Sequence, residues 1–408
     1  RAVVAEPFDD FLLKNEAALA AFLETQESWM RDNLNHYAPR PEGLTFVATG
    51  NPQDIRQRFA RAIRINPHSK LSLYLQLLPG EHRPNQKKLH PSDIRTYSDM
   101  EYLPNINIIG LQAGQLVTPQ DILLSANEEP DHGLDIGLFT DSNTHYGKAY
   151  GFGEQPFGNP NFDFSTQAPF HMGFYHEDEV LFKVAGYLKE TYPEFRIQLF
   201  KQLSEFAFSQ GSDYWGWRFM GWGMHYIGDF SQPYHVALMP GNSTFKTLGV
   251  GVLGMLGFDG AQKETIQLVS NRHTLIEDFQ SLVMTHAYEN GNQHHATIEA
   301  LKVETPVHHF ENSDVIFLYA KTSFDKSEQV HQTLLKSMPN EFVNNAIEEY
   351  SYSPKRSQLI ESIRSAKGQQ GVDAMVQTIS DLLADFSAHG ASYIQSITTK
   401  SNGQLSKQ

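Results

Sequence analysis

No cysteine occurs among the 408 residues. That removes disulfides, thiolate metal ligands and cysteine nucleophiles together. Long hydrophobic runs are missing too: the longest apolar stretch, LGVGVLGMLGF at 248–258, is too short to cross a bilayer and is broken by glycines. No transmembrane segment is expected. Positive charge is scarce, with 32 Lys and Arg against 47 Asp and Glu and a formal net charge of −15. Such a surface repels phosphate backbones, so no stable nucleic-acid partner is expected unless bound metal supplies local positive charge. The chain also lacks a G-x-S-x-G elbow, a G-x-x-x-x-G-K-[ST] loop and an H-E-x-x-H pair. GFGEQPFG (151–158) is Gly-rich without the G-x-G-x-x-G spacing, and reads as a structured loop.

What is present is apolar content sufficient for a full core, 40% with a mean hydropathy of −0.42. The pattern is helical. Apolar residues at three- and four-residue spacing predict a long amphipathic helix over 8–34 and shorter ones over 52–65 and 70–78. The same spacing returns at 177–192, 193–208, 213–229, 260–289 and in several segments from 325 to 398. Residues 79–115 read as a long surface connection. Residues 139–169 read as a long loop whose aromatic content argues for order. The expectation is all-α: a single large multi-helix domain over 1–408, with a metal site between helices and long ordered loops. Its ligand-bearing core would span about 125–280, with 1–115 and 290–408 packed on it. The chain starts at Arg1 rather than Met, as a processed N-terminus does.

Histidine carries the chemistry. Eighteen are present, and HYIGDFSQPYH (225–235) places His225, Asp229 and His235 within eleven positions. On a helix, i and i+4 share a face, so His225 and Asp229 can hold one ion together. Gly228 is expected to leave room beside it. Pro233 ends the helix, and the turn brings His235 back toward the same cleft. The bland alternative is a helix terminus with a structural ion pair. NRHTLIEDF (271–279) then repeats the pattern, with His273 and Glu277 at i and i+4 on another helix. Paired His and carboxylate ligands from facing helices are how bundles build polynuclear metal centres. Nitrogen and oxygen ligands suit Zn²⁺ in a catalytic setting, with manganese and iron open on ligand type. Trp215, Trp217 and Trp222 read as core packing, and the His pairs at 294–295 and 308–309 as surface features.

HYIGDFSQPYH resembles the H-x-x-G-D-x-x-Q-P-x-H signature of the zinc-dependent phospholipase C family, whose superfamily includes the single-strand-specific zinc nucleases. NRHTLIE matches its downstream His-x-x-x-Glu pair, EEPDHGLD offers Asp131 and QAPFHMGFYHED offers His171. The resemblance covers roughly residues 125–280. It implies that Asp131, His171, His225 and Asp229 bind one zinc, that His235, His273 and Glu277 bind a second, and that Asp229 bridges to a third. Two to three Zn²⁺ ions are thus expected. Asp135 competes with Asp131, and His176 with His171. The family completes its third zinc with the N-terminal residue and a nearby His. This chain begins RAVVAEPFDDF with no histidine before His36, which leaves His36, His145 and His389 as candidates, or a third metal absent or bound differently. His132 matches nothing in the pattern.

The activity implied is phospholipase C-type hydrolysis of glycerophospholipids, phosphatidylcholine among them, at a membrane or micelle surface. Metal-activated water is the attacking group and Asp131 a candidate general base. The alternatives are a zinc nuclease or other phosphodiesterase of the superfamily, and a non-catalytic helical metal-binding protein. Family habit and the N-terminus imply a secreted or periplasmic location. The apolar segment 245–258, between His235 and His273, is either a lipid-facing lid or core.

Overall fold

A nearly all-apolar helix, DYWGWRFMGWGMHYIGDF, is the structural axis. The computed structural model describes residues 1–97, 106–158, 163–241, 259–302 and 306–405. It is 61% helix and 3% strand, an all-α fold. Helix α1 (Phe8–Asn33) opens with Asp9 and Asp10 in its first turn and ends with Arg31, charges that complement the helix dipole. Its apolar stripe, Phe8, Phe11, Leu12, Leu19, Leu23 and Met30, is buried. Then follow α2 (Ile55–Ala62), α3 (Pro119–Asn127), a short α4 (Ala168–His171), α5 (Pro193–Ser209) and α6 (Asp213–Phe230). After α6 come α7 (Pro233–Val236), α8 (Asp259–Glu289), α9 (Lys321–Ser337) and α10 (Leu359–Leu405). Within α10 the path breaks at Gly368 (φ 72°, ψ 179°), a conformation only glycine adopts without strain.

Helix α6 packs between α3 and α5, with α10 against it as well. Trp215 and Trp222 are fully buried and Trp217 packs on the core edge. Glycines set the spacing: a Cβ on Gly221 would fall 2.5 Å from the Ala126 Cβ, so α3 approaches more closely than any side chain would allow. A second hydrophobic cluster joins α8, α9 and α10 through Leu275, Phe279, Leu334, Ile363 and Ile379. No helix among the described residues is long and apolar enough to cross a membrane.

Several sequence expectations are corrected. Residues 70–78 are not helical: Tyr74–Gln76 is a strand paired antiparallel with Ile108–Gly110. Leu71, Leu73, Leu75 and Leu77 alternate, which is a strand period, and the two faces of the pair pack into separate clusters, Leu75 and Ile109 in one and Tyr74 and Ile108 in the other. The stretch 79–115 is therefore not all surface, since Ile108 and Ile109 are buried. Residues 177–192 form a short helix (Glu179–Val184) and a 3₁₀ turn (Gly186–Lys189) instead of one helix. Val3–Val4 pairs with Leu116–Val117. A Cβ on Gly228 would point at Phe386 on α10, at an ordinary contact of 3.5 Å, and not toward the candidate ligands. Segment 245–258 lies outside the described residues.

Candidate metal centre

The C-terminal half of α6 brings His225 and Asp229 to one face, and three other elements bring partners to them. His171 ends α4, and its Nδ1 lies 3.0 Å from Asp229 Oδ2 and 3.1 Å from His225 Nε2. His225 Nε2 is 3.6 Å from Asp229 Oδ2. Asp131, on the 3₁₀ turn Pro130–His132, places Oδ1 at 3.9 Å from His171 Nδ1 and 3.7 Å from His225 Nε2. The second group is tighter. His235 Nε2 and His273 Nε2 are 2.9 Å apart, and Glu277 Oε1 lies 3.1 Å from the first and 2.8 Å from the second.

Two of the rings already commit their far nitrogens to backbone carbonyls. His225 Nδ1 donates to the Asn127 carbonyl at 2.8 Å, and His235 Nδ1 donates to the His171 carbonyl at 2.7 Å. His171 Nε2 lies 3.4 Å from Asp135 Oδ2 and makes no hydrogen bond of ordinary geometry. With the far nitrogens of His225 and His235 protonated in this way, each ring in its neutral form turns a lone pair toward its neighbours. The inward-facing atoms are then acceptors aimed at acceptors, which requires a cation or extra protons between them. A tetrahedral ion with bonds of about 2.0–2.1 Å needs ligand separations of about 3.3 Å. The separations in the first group, 3.0–3.9 Å, bracket that value, and those in the second, 2.8–3.1 Å, fall just short of it. The donor sets therefore fit a divalent metal ion, and the two groups Asp131–His171–His225 and His235–His273–Glu277 are both compatible with one.

No protein-family model, curated protein or solved structure matches this chain.

Electrostatics agree with the geometry. Burial would raise the Asp229 carboxyl, but His225, His235 and His171 outweigh it and hold the pKa below the ordinary carboxylate value. Burial would raise Glu277 likewise, and His273 and His235 hold it well below. Burial would lower His235, yet Asp229 and Glu277 push it up to about 9. Both groups attract positive charge strongly.

The competing residues separate. Asp135 is fully buried and held from the other side: Arg196 Nε donates to its Oδ1 at 2.9 Å, Arg196 Nη2 lies 2.6 Å from the same oxygen as an ion pair, and Tyr226 OH donates to Oδ2 at 2.6 Å. It backs the His171 ring and does not join the inward-facing atoms. His176 Nε2 donates to the Ile316 carbonyl at 2.8 Å, away from both groups. His36, His145 and His389 join neither group: His145 faces His68, and His389 stacks on Tyr319 with ring centroids 4.2 Å apart. The N-terminal segment sits at the other end of α6, where the Glu6 carbonyl accepts from Trp215 Nε1. Ten residues separate Trp215 from His225, about 15 Å along the helix axis.

Sequence reasoning missed the residues that aim the ligands. Glu129 accepts from Arg218 Nε (2.8 Å) and Trp222 Nε1 (2.6 Å), anchoring the turn that carries Asp131 to α6. Gly133 (φ 111°) caps that turn, where a Cβ would strike Thr96 Oγ1 at 2.1 Å. Gln232, of the Gln-Pro turn that the sequence does show, accepts from Tyr234 N at 2.6 Å and so starts α7, which turns His235 inward. A capping residue before proline is readable in a sequence, whereas the Glu129–Arg218 pair, 89 residues apart, is not.

Proposed function

We propose that this protein is a zinc-dependent phosphodiester hydrolase of the phospholipase C type, cleaving glycerophospholipids to diacylglycerol and a phosphorylated head group. The observation that supports it most is the adjacency of two acceptor-lined groups. They are joined by the His235–His171 hydrogen bond, and Asp229 Oδ1 lies 3.8 Å from His235 Nδ1. The order of the seven residues Asp131, His171, His225, Asp229, His235, His273 and Glu277 resembles that family's ligand set, which argues for zinc. Bound divalent cations would lower the pKa of water and neutralise charge on a phosphoryl group.

The chain's own residues divide the remaining work. His171, His225 and Asp229 are almost enclosed, with side-chain exposures of 7%, 8% and 12%, whereas Asp131 and Glu277 are 44% and 47% exposed. Substrate therefore approaches from the side of these two carboxylates. Asp131, at the open edge, is placed to orient an attacking water and is the candidate base. Net charge of −15 disfavours long polyanions and favours a substrate with one phosphodiester. Secretion or a periplasmic location follows from the same family reading.

The test supplies metal-loaded and chelator-treated protein with phosphatidylcholine vesicles, other phospholipids and single-stranded DNA. Chelator-sensitive release of phosphocholine is the expected result. Nucleotide release with inert lipid would favour the nuclease reading, and inertness toward every substrate with metal bound would favour a non-catalytic metal protein.

A further inference from the structure

Among the described residues the Asp131 carboxylate accepts one hydrogen bond, and it comes from a neutral side chain. Gln167 Nε2 lies 3.2 Å from Asp131 Oδ1. That oxygen is the one turned toward the ligand nitrogens, 3.9 Å from His171 Nδ1 and 3.7 Å from His225 Nε2. Gln167 stands immediately before α4 and His171 is the last residue of that helix, with Phe170 N donating to the Gln167 carbonyl at 2.8 Å. Four residues apart on one turn, the two side chains share a face. The segment that supplies His171 therefore also supplies the amide that meets Asp131.

The orientation of that amide is determined. Gln167 is 3% exposed, and Nε2 also lies 3.3 Å from Tyr97 OH, so its two hydrogens serve two oxygens. A carboxylate only accepts, which requires the nitrogen of the amide, and not its oxygen, to face Asp131. Gln167 Oε1 is left buried with no hydrogen bond among the described residues. An enclosed acceptor without a donor is unfavourable, so the favourable contacts of this side chain lie on its Nε2 side.

Asp131 has more need of such a partner than the other ligands of its group. Its turn is anchored to α6 through Glu129, yet its side chain is 44% exposed, against 7%, 8% and 12% for His171, His225 and Asp229. A carboxylate on an open edge can rotate and can present either oxygen. A donor on Oδ1 holds that oxygen inward and leaves Oδ2 for the open side, where water would be oriented.

We infer that Gln167 is a positioning residue that selects the ligand oxygen of Asp131 and, through it, the side on which this carboxylate meets water. The inference rests on the reading of the first group as a metal site and adds the side chain that aims its most exposed ligand.

The test is a double-mutant cycle on the full chain, read by zinc affinity in metal-competition titrations resolved into their separate steps, with melting temperatures taken on the same samples. Gln167→Met keeps the length and removes the donor. It is expected to weaken zinc binding about 10- to 100-fold, and Gln167→Asn, whose amide falls short of Oδ1, to act in the same direction. In an Asp131→Ala background, Gln167→Met is expected to change zinc affinity by less than about twofold, because no carboxylate is left to aim. A structural role would lower affinity alike in both backgrounds. The visible spectrum of the Co²⁺-loaded protein is expected to change with Gln167→Met when Asp131 is present and to stay the same when it is Ala. Should Gln167→Met not fold, Gln167→Asn decides by the same comparison. Wild-type zinc affinity and Co²⁺ spectrum in the folded variants, or an equal loss in both backgrounds, overturn the inference and leave the metal reading intact. A wild type that binds no metal removes both.

Discussion

His235 Nδ1 donates to the backbone carbonyl of His171 at 2.7 Å, so one candidate ligand is held by the main chain of another. The bond ties the second group to the first. It also fixes the His235 tautomer, leaving Nε2 to face His273 and Glu277. Asp229, whose two oxygens face His171 and His235, completes the link. Asp229→Ala is therefore expected to empty the first group, weaken the second and lower the proposed phosphodiesterase activity by at least about 10³-fold, a loss of more than ~4 kcal/mol in transition-state stabilisation. Zinc content and turnover on phosphatidylcholine vesicles check this.

Asp135 supports the site from behind. Its carboxylate neutralises Arg196, and both side chains are fully enclosed. Burial would raise its pKa, but Arg196 and His171 hold it below the ordinary value. Asp135→Asn keeps the shape and strands the guanidinium, at an expected cost of about 3–5 kcal/mol. Loss of the carboxylate behind His171 should also weaken metal binding about 10- to 100-fold. Thermal melts and a metal-competition titration report the two effects separately.

Gly221 sets how closely α3 approaches α6, and through it where the Asn127 carbonyl meets His225 Nδ1. An added Cβ would lie 2.5 Å from the Ala126 Cβ and 3.1 Å from the Leu123 carbonyl oxygen. Gly221→Ala should destabilise by about 1–3 kcal/mol and lower zinc affinity by loosening the Asn127–His225 bond. Gly260→Ala, where a Cβ meets nothing, is the control and should do neither.

Acid sensitivity has a source away from the metal centre. His389 is buried against Tyr319, and its pKa is pushed down to about 4 by burial first and by Lys326 next. Unfolded, it titrates near 6.5. Between those values the unfolded chain binds a proton that the folded one does not. The contribution to stability is thus full above about pH 6.5 and lost as pH falls toward 4, on the order of 3 kcal/mol. His389→Phe should flatten the acid limb of stability against pH by that amount. Denaturant melts of the two proteins from pH 7 to pH 4.5 check it.

The sequence was informative where a pattern is local. Helix α1 follows the 8–34 expectation to within a residue, and α6 and α8 follow theirs. All seven candidate ligands arrive in the two groups or, as Asp229 does, between them, because i and i+4 spacing and a Gln-Pro turn fix directions over short distances. It was uninformative where neighbours are distant. Tyr74 and Gly110 pair across more than thirty residues, so YLQ reads as part of a helix until its partner is known. Asp135 competes with the favoured Asp131 in the sequence, and what separates the two in the structure is Arg196, 61 positions on from Asp135, which claims its carboxylate. Gly228 looked like room for a metal because its contact, Phe386, lies on another helix.

The central claim is that Asp131, His171, His225 and Asp229, and next to them His235, His273 and Glu277, hold divalent metal ions. Elemental analysis of purified, zinc-equilibrated and extensively dialysed protein tests it most directly, with His225→Ala and His273→Ala measured alongside. The account predicts at least two zinc ions per chain in the wild type and one fewer in each variant. A wild type that retains no metal, or variants that retain as much as the wild type, would contradict it.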